Sequence, residues 1–530
     1  MVMLLRTTLI GLTAVVAMST TSSAQAINEE FRSIFDGRTL NGWDGDPVYW
    51  RIEDGAITGQ TTPDKPLKHN TFLIWRDGEL DDFELVLEYR IFGGNSGIQY
   101  RSWEDPDKWG KWVAAGEQAD IDATNKYTGI LYSERSRGIL AQRGQKVVIG
   151  EDHKARVVGT IGSAEELAAK IRNQDWNSYR VVARGNRYVH EINGQVMIEA
   201  VDEDRQASRR SGILALQLHA GDPMKVQFRD IRLKRLPMEG KKKIVFVAGT
   251  ASHGYGSHEH NAGCLLLARL LNENVPAVHA VVYRNGRPTD PTAFDNANAI
   301  VFFADGAGGN MINNRLAEVG AAVDRGAGLA VLHYALDVPK GPVGDHMLKW
   351  IGGYFEQHWS VNPHWSARFA ELPNHPITRG VRPFEIEDEW YYHMRFRENM
   401  ENVTPILSAV PPERTREGPD GAYSGNPHVR ARKGMLEVVA WAFERPDGGR
   451  GFGFTGGHFH WNWAHDDYRK LMLNALTWVA GAEVPPKGVP SKTPTFEELD
   501  ANQDEPRPAD FKVETIRAKL SQWSAATRPS

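Results

Sequence analysis

Histidine is the side chain with most chemical potential here, and it is unevenly placed. Of 18 histidines, only His69, His153, His190 and His219 precede residue 241; the other 14 follow it. Two pairs are spaced i, i+2: His258-Glu259-His260 and His458-Phe459-His460. In an extended segment that spacing puts both rings on one side. Together with His333, His358 and Glu389 they offer nitrogen and oxygen donors of the kind a divalent metal accepts, zinc or calcium being the expected ions. The competing reading is a polar cleft in which the same rings only hydrogen-bond, with His333, Tyr334 and Glu389 touching a substrate. The lone thiol is expected to be inert. The single Cys264 lies in an apolar Cys-Leu-Leu-Leu run that reads as helix interior. One cysteine also excludes an internal disulfide and a cysteine-based zinc cluster.

The elements that must hold these residues divide the chain of 530 in two. Over 83–92, Phe83, Leu85, Leu87, Tyr89 and Ile91 alternate with mostly polar residues, a half-buried strand. Short strands at 179–184, 187–192 and 195–200 are separated by the hairpin dipeptides Gly185-Asn186 and Asn193-Gly194. Further strands are expected at 212–219 and 225–236. A capping box, Ser163 to Glu166, predicts one helix over 165–172. Residues 28–237 therefore read as an all-β sandwich or jelly roll. A basic stretch at 232–243, with Pro237 and Gly240, reads as a solvated linker. Beyond it, apolar strands at 244–248, 278–283, 299–304, 328–333 and 453–455 alternate with helices at 259–272, 315–325 and 467–479. That pattern predicts an α/β, doubly wound, flavodoxin-like domain over 242–482, with ligands at the C-terminal ends of its strands.

In the first region, Phe35-Asp36-Gly37, Leu40-Asn41-Gly42-Trp43, Gly94-Asn95-Ser96-Gly97-Ile98, Gln118-Ala119-Asp120-Ile121, Tyr127-Thr128-Gly129 and Leu216-Gln217-Leu218-His219 occur in order. Together these resemble the 3-keto-disaccharide hydrolase domain family, a concanavalin-like jelly roll. The resemblance implies cleavage of glycosides whose C3 carries a ketone. The ketone acidifies the C2 proton; a base removes it, the enolate expels the C1 substituent, and water adds back. Asp120, Glu117, Asp122 and His219 are the candidate bases. Arg101 or a bound cation would stabilise the enolate. Asn95, Ser96 and Gln118 would touch the sugar, with Trp103, Trp109 and Trp112 offering flat faces. An ordinary glycosidase would instead need two opposed carboxylates, such as Glu117 and Asp120. In the second region, Gly326-Ala327-Gly328-Leu329 leading to His333, then Gly353, His358, Asp388-Glu389-Trp390-Tyr391 and Gly456-Gly457-His458, resemble the ThuA-like, trehalose-utilisation family. That family is built on a glutamine-amidotransferase-like fold, in which the turn holding His333 would carry the nucleophilic cysteine.

Arg6, the apolar run 9–18 and Ala24-Gln25-Ala26 read as a cleavable signal over 1–26, which predicts a periplasmic or secreted protein. No later run is apolar enough to span a membrane. Residues 484–530, punctuated by prolines, read as an extended tail with a short helix near 513–523. The balance of 62 basic against 67 acidic residues, net −5, excludes a nucleic-acid binder. No dinucleotide fingerprint is evident, so no nucleotide cofactor is expected, and a separate sugar 3-oxidoreductase must supply the ketone. The sequence thus predicts an exported carbohydrate-processing enzyme. The rivals are a lectin-like glycan-binding protein and a metal-dependent hydrolase centred on the histidine-rich cleft.

Overall fold

The computed structural model describes residues 30–526; the signal expected over 1–26 lies outside them. The N-terminal region is a β sandwich of a ten-stranded and a seven-stranded sheet. Strand Phe83–Phe92 alternates buried and half-buried residues along its length, as its period of two requires. It is central in the larger sheet, pairing with Asn177–Arg184 on one side and Lys225–Arg235 on the other. Asn193 and Gly194 have φ of +51° and +78°, the left-handed pair that closes a tight hairpin. Leu85, Leu87, Ile98, Tyr100, Ala119, Ile121, Leu214 and Leu216 fill the space between the sheets. The capping box forms, but its helix ends at Ala168 rather than at 172.

In the smaller sheet, Asn95–Glu104 lies between Ala114–Asp122 and Gly212–Leu218. Side chains alternate between faces, so Ala119 and Ile121 enter the core while Gln118, Asp120 and Asp122 point to the opposite face.

The second region is an α/β domain on a seven-stranded sheet. Five strands run parallel in the spatial order Val278–Tyr283, Lys242–Ala248, Ala299–Phe303, Gly328–Leu332, Arg450–Phe454. Helices His260–Asn274 and Asp466–Val479 cover one face; Leu316–Asp324 and Pro342–Trp350 cover the other. The flavodoxin-like expectation needs correction. Glu437–Glu444 and Val403–Ala409 extend the sheet in antiparallel fashion, and a separate two-stranded sheet, His364–Phe369 with Phe384–Glu389, stands beside it. These additions lie between the fourth and fifth parallel strands in sequence.

The linker is also corrected. Arg235 and Lys243 are buried between the domains rather than solvated. Arg235 reaches Asp290 at 2.7 Å and Asp81 at 3.3 Å, and Lys243 reaches Asp81 at 2.5 Å. The segment after residue 484 forms the expected helix as Val513–Ala526, adds an unexpected one, Phe496–Asp500, and docks on the α/β domain. Asp504 donates its N–H to Glu259 at 2.7 Å and accepts from Asn261 at 2.6 Å; Gln503 accepts from the Gly256 N–H at 3.0 Å. Phe496 stacks on Trp461. Among the described residues, no helix is long and apolar enough to cross a membrane.

Candidate functional site

Two constellations emerge, one in each domain. The first is a polar ladder on the outer face of the seven-stranded sheet. Gly97 sits opposite Asp120 and Gln99 opposite Gln118. A Cβ on Gly97 would meet the Gln118 side chain at 2.4 Å, so the glycine leaves room for that amide. Asn95 donates to one Asp120 oxygen at 2.7 Å and Gln118 to the other at 2.9 Å. Gln99 donates in turn to Gln118 at 2.8 Å, and Gln217 to Glu134 at 3.3 Å. Asp120 is only 5% exposed. Burial outweighs its two amide donors and pushes its carboxyl up to about 7, with Asp122 and Glu134 adding to the rise. Burial raises Glu134 as well. A carboxylate titrating near neutrality suits a general base.

Several candidates stand elsewhere. Glu117, three residues from Asp120, points into the core, where it meets Arg137 at 2.6 Å. An odd separation along a strand places two residues on opposite faces, so Glu117 and Asp120 cannot be the opposed pair of a glycosidase. Arg101 is wholly buried and binds Asp82, the Asp81 carbonyl and the Gly185 carbonyl, each at 2.7 Å. Its φ of +49° and the register break between Tyr100 and Trp103 turn it away from the ladder. Asp122 accepts from the Thr124 N–H and hydroxyl, each at 2.6 Å, which fixes a turn. Ser96 donates to the Gln217 carbonyl at 2.6 Å and ties two strands. His219 donates from Nδ1 to the Ala220 carbonyl and lies close enough to Glu134 to offset its rise. The tryptophans form no shared platform. Arg209 covers Trp103, Arg135 approaches Trp109, and Trp112 donates to Asp44. Sequence reading passed over Gln99, Tyr132 and Glu134. The pairing register, which the sequence does not show, sets each of them on the face of Asp120.

The second constellation gathers at the C-terminal ends of four parallel strands. His258 follows Lys242–Ala248, Asp305 follows Ala299–Phe303, His333 follows Gly328–Leu332, and His458 follows Arg450–Phe454. Glu389 ends the strand Phe384–Glu389. His258 Nε2 lies 3.1 Å from His333 Nε2 and 3.0 Å from His458 Nδ1. Glu389 Oε2 lies 3.0 Å from His458 Nδ1, 3.3 Å from His333 Nε2 and 3.8 Å from His258 Nε2. All four atoms fall within 4.8 Å of one another. Burial alone would raise Glu389, but the three imidazoles hold it well below the usual carboxylate range. A 250 Å³ pocket opens over the group, lined also by His253, Tyr334, Asn362, Tyr391 and Tyr423.

His333 and Glu389, expected either as metal donors or as substrate contacts, thus join His258 and His458. His260, His358 and His460 do not. The i, i+2 argument fails because neither segment is extended. His258 has φ +50°, His260 opens a helix, and His460 opens a 3₁₀ turn. Burial pushes His260 and His460 each down to about 4. His358 is exposed on a loop. Cys264 is buried, and burial pushes its thiol above the reactive range. Asn362 and Tyr423 were not anticipated, for they come from the interposed segment that parallel-strand reasoning does not reach.

Comparison with known proteins follows the same division. Residues 30–234 match the 3-keto-alpha-glucoside-1,2-lyase-like domain, and residues 243–479 match the trehalose-utilisation, ThuA family. A 3-keto-disaccharide hydrolase from Bacteroides thetaiotaomicron is 27% identical over 234 residues, 38% of this chain and 78% of the relative. Carbohydrate-binding module CBM66 from Bacillus subtilis is 15% identical, covering 36% of this chain and 95% of the module, with a TM-score of 0.25. A ThuA-like protein from Bacteroides uniformis is 17% identical, covering 46% and 93%, with a TM-score of 0.32. The chain therefore joins a region that matches the 3-keto-alpha-glucoside-1,2-lyase-like domain to a region that matches the ThuA family.

Proposed function

We propose that the sandwich cleaves 3-keto-glycosides, with Asp120 as the base. The observation that carries this reading is a buried carboxyl poised near neutrality, held by two amide donors, in a domain of this family. Asp120 takes the C2 proton, turning the C3 ketone into an enolate whose charge rests on the C3 oxygen. The C1–O bond then breaks, and the departing oxygen takes from Asp120 the proton that Asp120 removed from C2. Water adds across C1 and C2, hydroxide to C1 and a proton to C2, so the net reaction is hydrolysis. Gln118 and Asn95 hold the carboxylate in place, and neighbouring amides are the donors available to sugar oxygens. A separate sugar 3-oxidoreductase supplies the substrate, and the signal-like N-terminus supports a reaction outside the cytoplasm. The ThuA domain binds or converts the released sugar.

The test offers purified protein a 3-keto-disaccharide and its unoxidised parent. Turnover of the keto sugar alone, lost in Asp120→Asn, supports the reading. Binding of both sugars without turnover sinks it in favour of a glycan-binding protein. Equal turnover of both sinks it in favour of an ordinary hydrolase.

A further inference from the structure

We propose that His258, His333, His458 and Glu389 form a centre for a zinc-class divalent cation at the floor of the ThuA-domain pocket. The distances carry the argument. Tetrahedral zinc with arms of 2.0–2.1 Å sets its donors about 3.3 Å apart. The five separations recorded among the four donor atoms run from 3.0 to 3.8 Å.

Proton placement points the same way. His333 Nδ1 lies 2.7 Å from the Thr455 carbonyl, which can only accept, so Nδ1 carries the proton and Nε2 presents a lone pair to the cluster. His258 Nδ1 has no hydrogen-bond partner, but it faces the Asp305 carboxylate at 3.8 Å. With its proton there, His258 Nε2 also presents a lone pair inward. Two imidazole lone pairs and a carboxylate then converge with His458 Nδ1 on one point, where a cation would satisfy all four atoms. Carboxylate or carbonyl partners behind ligating histidines are the usual support of such centres.

The backbone adds an independent sign. His258 and His333 have φ of +50° and +55°, conformations that cost a non-glycine residue of order 1 kcal/mol or more. Both place their rings in the cluster. His458 is held by Asp388, which accepts from the Gly457 N–H at 2.9 Å, the His458 N–H at 3.1 Å and the Tyr468 hydroxyl at 2.7 Å. The donor set selects the ion: three imidazoles and one carboxylate suit zinc and its transition-metal neighbours, whereas calcium takes oxygen. The pocket, at 250 Å³, is below the range of sites for drug-sized ligands, so any further ligand is a small oxygenated molecule.

The test uses the full chain, stripped with chelator, and zinc alone. One equivalent retained after gel filtration, a zinc-induced rise in melting temperature, and visible d–d absorption on cobalt substitution are expected. Glu389→Gln and His458→Gln should each weaken zinc binding by at least about tenfold, and Asp305→Asn by about tenfold. Exposed His358→Gln should leave binding unchanged. Calcium should give no thermal shift. Failure of the unaltered protein to retain zinc or to show the cobalt bands overturns the centre, whatever the variants do. So does retention by Glu389→Gln and His458→Gln equal to that of the parent. Metal retention is read without turnover, so this result and the keto-glycoside reading fail separately.

Discussion

Asp120 shows how a strand can hold a carboxyl in an unfavourable state and make use of it. Its folded value, about 7, exceeds the ordinary 3.8 because burial disfavours the charge. Between those values the folded state binds the extra proton, so stability contributed by this group falls as pH rises from 3.8 to about 7. The proposed cleavage needs the ionised form and should rise through the same upper limit. Keto-sugar kcat/KM measured from pH 5 to 9 should therefore climb with a midpoint near 7, and a flat profile removes Asp120 as base. Asp120→Asn should lose most of the activity, on the order of 100-fold or more, while its melting temperature at pH 8 stays level or rises. Arg101 behaves oppositely. Removing it strands the buried Asp82, so Arg101→Gln should cost about 3–5 kcal/mol in urea unfolding, as breaking a buried pair does. Activity per folded molecule should persist. The sequence named Asp120 among four bases, and strand parity alone would have removed Glu117 from its side. The partners of Arg101 lie in loops far along the chain, and no local pattern announces them.

At the scale of elements, the second domain places its chemistry by a rule that sequence can use. Runs of apolar residues mark the parallel strands, and their C-terminal ends carry His258, His333 and His458. What sequence could not use was the 3₁₀ and left-handed geometry at those ends, which decides which histidine turns inward. The strands His364–Phe369 and Phe384–Glu389 were also missed. Their alternation is short and is bounded by prolines that read as loop, yet Glu389 and the Asp388 brace come from them. Asp388 takes donors from the Gly456–Phe459 turn, from Tyr468 and from Asn462 at 3.1 Å. An amide there would turn one donor against another. Asp388→Asn should destabilise the protein by about 1–3 kcal/mol, from the loss of a buried charged acceptor. Chemical denaturation checks this, and no change in the transition means the turn holds without that charge.

At the scale of the molecule, two domains are fastened by charge buried between them. Burial alone would raise Asp81, but Lys243 and Arg235 hold it well below the usual carboxylate range. A lowered carboxyl contributes stability that is present above 3.8 and lost as pH falls below it. Calorimetry at neutral pH should therefore show one transition for both domains. Arg235→Met, which leaves Asp290 and Asp81 short of a partner, should split it into two; a single unshifted transition would show that the domains are coupled by other contacts. The switch in periodicity divided the chain in two, but the basic run at the junction looked solvated because its acidic partners are distant in sequence. The docked segment after residue 484 sets an order of assembly. Every histidine of the cluster is translated before Gln503 and Asp504, which clamp the loop bearing His258 through Gly256, Glu259 and Asn261. During synthesis, that loop emerges with its clamp still to come, so the pocket is finished last and a chain stopped short of residue 504 would carry all four donors without a fixed shape to hold them.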